Sequence, residues 1–506
     1  MPDCDLCIVG GGAAGLIAGV LAAQAAKERE LPCRILILEK EREVGLKLKN
    51  AGAGRANLSH VEMESSNYYS DDPIALGRLL HEYDPEAFWR FVNSLGLVLY
   101  EDEGGRSYPL AEEAKAYRDL LLAYLKANQV RVLCQTPVVR IAPVPGAQSS
   151  NQGSAQTPNP GRGQNPPQGS IPASASSTAS STASSGRVVS MHPQSPGLGP
   201  SYQVFLGGGR TVRCRALILA TGSPAAPNLG GSLASERFLQ DLGLGEDLVP
   251  YQPALVPLCL EKNQFCHFAT GSRFKGNMTL LADQRIVGSR SGEFLFTSYG
   301  LSGIASMEAA SLMAYVRANR ALAGQAPSKS WQALVDFFPG LTADDLYRLL
   351  ERRWLDFPGE GFDLLLLGLI KMKMVKGLLA DLLSDRLGDQ RPALVQAFSR
   401  RQEALPHGLQ DLSAQDLQDL ASLLKAYPFH IIGDTGFQNA QTALGGLMLD
   451  ALDEDFCPKD RPGLYLAGEL LYVTGNCGGF NLHFAFASAA KAVANAFQAL
   501  YPGQSE

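Results

Sequence analysis

The spacing of apolar and polar positions in the first forty residues predicts two buried strands around one helix. Asp5-Leu6-Cys7-Ile8-Val9 is an apolar run short enough for a single strand, and it meets the turn Gly10-Gly11-Gly12-Ala13-Ala14-Gly15. The alanine-rich stretch Leu16 to Ala26 predicts a helix, Arg34 to Leu38 a second buried strand, and Glu39 closes that strand. Strand, Gly-x-Gly-x-x-Gly, helix, strand and acid in this order carry a joint physical meaning. Gly10 allows the tight turn, Gly12 lets backbone approach a pyrophosphate, and Gly15 lets helix and strand pack closely. The helix start at Ala13 and Ala14 offers unpaired N–H groups and a positive dipole end to phosphate. Glu39, with Lys40 beside it, can accept both hydroxyls of an adenosine ribose. These residues predict a dinucleotide site.

Further along, helical spacing marks Asp84 to Leu95 and Lys115 to Asn128, with a turn at Tyr108-Pro109 between them. Val130 to Cys134 and Val138 to Ile141 are expected to pair as strands. From Pro143 to Ser201 the chain is built of Ser, Pro, Gly, Gln, Ala and Thr, with too little apolar surface to offset chain entropy, so disorder is expected there. Tyr202 to Leu206, Gly207-Gly208-Gly209 and Thr211 to Cys214 read as a hairpin, which makes the tract an insertion at the tip of a β-meander. Ala216 to Gly222 reads as a buried strand ending in a small-residue turn at Thr221 and Gly222. Short alternating segments over Pro253–Glu261 and Met278–Thr297 predict a barrel or open sheet. Gly300-Leu301-Ser302-Gly303 leads into a helix, Leu341 to Ala426 is helical in pattern, and His430 begins another strand.

Composition narrows the class. The 506 residues suffice for two or three domains, and 45% hydrophobic with 19% charged residues is an ordinary globular balance. A net charge of −6 argues against a nucleic-acid binder, whose partner demands a basic surface. No apolar run approaches the ~20 residues of a membrane helix. Nine scattered cysteines and a start without a basic leader point to reduced thiols in the cytoplasm. No metal-ligand spacing stands out; Cys4-Asp5-Leu6-Cys7 lies within a strand. The composition leaves the oligomeric state open.

Two further stretches carry chemistry. After Glu39, Lys47 and the loop Gly52-Ala53-Gly54-Arg55-Ala56-Asn57 combine small residues, cations and an amide, as suits close approach to a flat anionic ligand. Near the C-terminus, Gly463 to Leu466 runs into Ala467-Gly468-Glu469, and Gly478-Gly479-Phe480-Asn481-Leu482 opens an alanine-rich helix. A second acid at a strand end and a second glycine-led helix start repeat the opening chemistry. A flavin dinucleotide uses such a pair, one helix start for the pyrophosphate and one for the electron-rich N1–C2=O edge of its ring. Glu469 is then expected on the ribityl or pyrophosphate side. His267, His430 and His483 are candidates for proton transfer by type alone, and no catalytic acid or base is assigned.

With these motifs placed, the chain resembles the BaiN-like, or aminoacetone-oxidase-like, family of FAD-dependent oxidoreductases. The resemblance also rests on Leu219-Ala220-Thr221-Gly222, Pro253-Ala254-Leu255-Val256-Pro257-Leu258, and Gly292 to Thr297 with Gly300 to Gly303. It implies an α/β fold: a discontinuous Rossmann-like FAD-binding domain over 1–245 and 438–506, a β-barrel substrate domain over 246–340 and 427–437, and a helical cap over 341–426. It also implies Gly52, Gly54, Arg55 and Asn57 against the flavin ring, and Gly479, Asn481 and Leu482 at its N1–O2 edge. Two departures stand out: Ala56 where the family has Cys, and Asn476-Cys477 where it has Pro-Thr. The implied activity is hydride transfer through flavin N5 from a reductant, expected to be NAD(P)H, to a small substrate. One dinucleotide fingerprint means that the nicotinamide visits only transiently. An oxidase of a small amine or alcohol that makes hydrogen peroxide, and a flavin redox sensor without turnover, stay open beside it.

Overall fold

The computed structural model describes residues 2–144, 201–358, 360–384 and 412–503. Most of the tract expected to be disordered lies outside the described residues. The strand Cys4–Val9 is buried throughout and lies parallel between Ile35–Leu38 and Thr211–Leu219, in register Val9 with Leu38 and Val9 with Leu219. Runs apolar on both faces, such as these, suit a parallel sheet covered on each side. Arg131–Leu133 extends the sheet beyond Ile35–Leu38. Leu464–Leu466 adds in parallel to Thr211–Leu219, with Leu217 opposite Leu464. Segments far apart in sequence therefore build one sheet. Helices Ala13–Glu28 and Phe480–Leu500 pack side by side on the face that carries Leu6 and Ile8.

One expectation about this sheet is corrected. The segments expected to pair across 130–141 do not touch as partners: Arg131–Leu133 forms one end of the strand order and Val138–Pro143 the other, beside Tyr202–Leu206. Pro137 between them has no N–H to give a hairpin ladder. Instead, Gln135 and Thr136 donate their N–H groups to the carbonyls of Glu41 and Glu39. The hairpin Tyr202–Leu206 with Thr211–Leu219 is present, Cys214 opposite Tyr202. Its second strand continues unbroken into the segment read separately as Ala216 onward.

An antiparallel ribbon, Leu248–Ala254 with Thr442–Leu447, joins this domain to a closed six-stranded barrel. Around the barrel run Leu258–Leu260, Gly300–Ser302, Arg285–Phe296, Arg273–Ala282, Trp331–Asp336 and Tyr427–Asp434. Period-two alternation sends Met278, Leu280, Phe294, Phe296, Val335 and Phe429 into its core, all fully buried. Helices Ala343–Asp356, Phe362–Leu366, Met372–Leu383 and Ala414–Lys425 form the cap between the last two barrel strands. Thr342 with Asp345, and Ser413 with Asp416, make reciprocal capping boxes at two of these starts. The helix Ile304–Leu322 leaves the barrel and packs on the ribbon.

Candidate functional site

The opening turn shows why each glycine stands where it does. Gly10 has φ +108°, and a Cβ there would lie 2.3 Å from the Ala220 carbonyl oxygen; at Gly15 it would lie 1.9 Å from that of Gly10. A Cβ at Gly12 would meet no other part of the described residues within 4 Å, so this face is open to the cavity it lines. The helix it starts has no side-chain cap and no acid in its first turn, which leaves its N–H groups and dipole for an anion. Glu39 accepts N–H groups from Gly11 at 2.7 Å and Glu41 at 2.9 Å, one on each oxygen. Each oxygen keeps a lone pair for a ribose hydroxyl.

These residues form one end of an 850 Å³ cavity, within the range of about 300–1,000 Å³ usual for cofactor sites. Gly10, Gly12, Ala13, Ala14, Glu39 and Lys40 line that end. Further along lie Lys47, Gly52, Arg55 and Asn57, with Thr221 and Gly222 from the sheet. Gly468, Glu469, Gly479, Asn481 and Leu482 close it from the C-terminal side. Gly15 and Gly54 are not on the wall. Gly15 serves the helix–strand contact, and Gly54 sits at φ +91° in the kinked turn 48–54. Ala53 and Ala56, at φ +56° and +58°, share this left-handed run. Such backbone is costly for residues with a Cβ and is typical of functional loops.

Several of these side chains are already engaged. Lys47 pairs with Glu469 at 2.7 Å, and Ser223 donates to the same carboxylate at 2.9 Å, so the two chain halves meet across the cavity. Arg55 makes a bidentate pair with Glu112, both contacts 2.6 Å, and lies 4.8 Å over the Tyr108 ring. Asn481 staples the loop before its helix: its amide donates to the Gly475 carbonyl and accepts the Gly475 N–H, each at 2.9 Å. Conversely, Asn57 Oδ1, Thr221 Oγ1 and Asn476 Oδ1 are buried without a partner among the described residues, and all three residues line the cavity. Orphaned polar atoms along an open, glycine-lined groove between two helix starts fit a polar dinucleotide such as FAD.

Two titratable groups at the C-terminal helix, Cys477 and His483, are held neutral by burial. Burial pushes the Cys477 thiol up to about 12, so the thiol of this wall residue keeps its proton. Burial also pulls His483 down to about 4. Its Nε2–H donates to the Tyr83 carbonyl at 2.8 Å, and Nδ1 accepts from Ser59 at 2.9 Å. This histidine is a packed core residue, while His267 and His430 are exposed and away from the cavity wall. Among the wall residues not expected from the sequence are Arg106, Tyr108, Ile304 and Met307. The first two share one face of the strand Arg106–Pro109, and the last two lie one turn apart on their helix. Those periodicities were available signals, but nothing in them named the cavity.

The HI0933-like protein Rossmann domain family matches residues 4–161 and 177–495. The chain belongs to this family. Family match and cavity together make it an FAD-dependent oxidoreductase. It is 25% identical to the 3-dehydro-bile acid delta(4,6)-reductase of Clostridium scindens over 95% of this chain and 96% of that one. It is 23% identical to the ribosomal RNA dihydrouridine synthase of Escherichia coli, over 96% of both. The solved 3-ketosteroid-delta4-(5alpha)-dehydrogenase of Rhodococcus jostii RHA1 is 12% identical, with TM-score 0.42, over 97% of this chain and 96% of that one. Among the described residues no helix is long and apolar enough to cross a membrane.

Proposed function

We propose that the chain reduces a carbon–carbon double bond conjugated to a carbonyl on a small molecule, with electrons from NAD(P)H. The observation that carries this reading is a dinucleotide-sized cavity walled both by the two glycine-led helix starts and by Ile304 and Met307 from the helix that leaves the barrel. Bound there, FAD would supply two-electron hydride chemistry. The chain would contribute the rest. Helix Ala13–Glu28 and Glu39 would hold the adenosine diphosphate part. Lys47 and Glu469 would meet the ribityl chain. The first turn of helix Phe480–Leu500 would favour negative charge at the ring edge. Gly52, Asn57, Gly479 and Leu482 would shape the ring's berth. Among the described residues only one Gly-x-Gly-x-x-Gly turn opens a helix, so a nicotinamide donor would reach the ring from the barrel side.

The substrate class draws on the two relatives. A reductase of a delta(4,6) 3-dehydro compound and a synthase of dihydrouridine both, by name, saturate a double bond conjugated to a carbonyl. The net charge of −6 favours a small molecule over RNA. Anaerobic stopped-flow mixing of the yellow protein with NADH and NADPH tests the donor. Bleaching of the flavin band, followed by its return on adding a conjugated enone, is the expected result. Recovery only on admitting air would make the chain an oxidase. Recovery only with a uridine-containing RNA would overturn the small-molecule reading.

A further inference from the structure

Four cations line the cavity among the described residues: Lys40, Lys47, Arg55 and Arg106. Three are consumed by carboxylates at hydrogen-bond distance, Lys40 by Glu41 at 3.0 Å, Lys47 by Glu469 at 2.7 Å and Arg55 by Glu112 at 2.6 Å. Arg106 is different. Its nearest carboxylate oxygen, on Asp102, is 3.9 Å away, beyond hydrogen-bond reach, and its guanidinium makes no hydrogen bond among the described residues. Two residues on, Tyr108 points to the same side of the strand, as period two requires. It is 6% exposed and lies on the wall, and its hydroxyl has no partner among the described residues. Arg55 covers the Tyr108 ring and Tyr100 stacks on it at 5.8 Å, so the ring is held in place.

Both residues line the cavity, Arg106 beside the loop that precedes helix Phe480–Leu500. Arg106 lies close enough to Cys477 and Glu308 for its charge to act on both groups, and Glu308 accepts the Cys477 N–H at 3.2 Å. Cys477 belongs to the loop that leads into helix Phe480–Leu500, two residues before Gly479. A guanidinium with free N–H groups beside an unpartnered phenol hydroxyl is a donor pair suited to one oxygen carrying full or partial negative charge.

We propose that Arg106 and Tyr108 form the subsite that holds an oxygen of the acceptor substrate, carbonyl or carboxylate, at the flavin end of the cavity. The assignment rests on the reductase reading above. It makes Arg106, not Arg55, the cation that meets substrate. Glu308 and Asp102 are carboxylates near Arg106 that oppose an anion there; burial raises the pKa of Glu308, which lessens its opposition.

The test uses para-chlorophenol, whose phenolate oxygen stands in for the substrate oxygen. The FAD-loaded full chain is titrated with it, and the long-wavelength charge-transfer band is read. Arg106→Ala and Tyr108→Phe should each weaken binding about tenfold or more, as expected for loss of a hydrogen bond to a charged group. Arg106→Lys, which keeps charge but loses the planar fork, should fall between. Retained FAD absorbance in each variant shows an intact site. Bleaching by NAD(P)H is read in the same variants. Equal phenol affinity in all proteins, or no phenol binding by the unsubstituted chain, overturns the proposal. So does slower bleaching with phenol binding intact, since the pair would then serve the nicotinamide. Failure of the reductase reading shows separately, as no bleaching of the unsubstituted chain, and leaves the titration readable.

Discussion

At Gly12 and Gly15 one added methyl group has two different fates, because one glycine faces the cavity and the other faces backbone. A Gly12→Val side chain would enter open space, so folding stability should hold while FAD binding is lost. Gly15→Ala would drive Cβ into the Gly10 carbonyl, and overpacking of this kind costs about 1–3 kcal/mol. Urea unfolding of the cofactor-free proteins, alongside FAD titration, separates the two; equal stability losses would show that Gly12 also serves packing. The close contact at Gly15 was legible in the sequence, because a glycine at fixed spacing after a strand has few other reasons to exist. Arg55 was legible only as a cation in a glycine loop. Its partner Glu112 lies 57 residues on, and no local pattern announces such a pair. The free guanidinium of Arg106 was hidden for the same reason: whether a cation is spent or unspent is a property of the fold.

At the scale of elements, helix Phe480–Leu500 depends on contacts its own sequence does not contain. His483 bridges Ser59 and the Tyr83 carbonyl, which fixes the helix against the first domain's core. Because its folded pKa of about 4 lies below the ordinary value near 6.5, the unfolded chain takes a proton first as pH falls. Stability from this residue is full above about pH 6.5 and declines by at most about 1.4 kcal/mol per unit toward pH 4. Chemical denaturation at pH 7 and pH 5 should show that decline, and His483→Gln should flatten it. A decline that persists in the variant would assign it to other groups. The strands and helices were read from periodicity, and most stand where expected. The pairing of Arg131–Leu133 was not, since an edge strand of three residues carries no signal for which neighbour it joins.

At the scale of the whole molecule, one cavity is walled by residues from Val9 to Ala485, drawn from both parts of the sheet, the ribbon and the barrel's helix. A ligand gripped by all of these binds the folded state alone. Free FAD at about 100 times its dissociation constant should therefore add about 2.7 kcal/mol to unfolding stability, visible as a shifted urea midpoint. An unshifted midpoint would mean that the folded chain holds no FAD. The order of domains was legible because the motifs recur at both ends of the chain, with a barrel and helices between them. How the ends meet, through Lys47 and Glu469, was not. The strand Leu464–Leu466 lies beside Leu217–Leu219, although the whole barrel and cap are encoded between them. At about 5–20 residues per second, a ribosome leaves the sheet lacking this strand for tens of seconds. The nascent chain thus exposes an unfilled sheet edge while its middle folds, and it can capture its cofactor only after Leu464–Leu466 and the helix Phe480–Leu500 have been made.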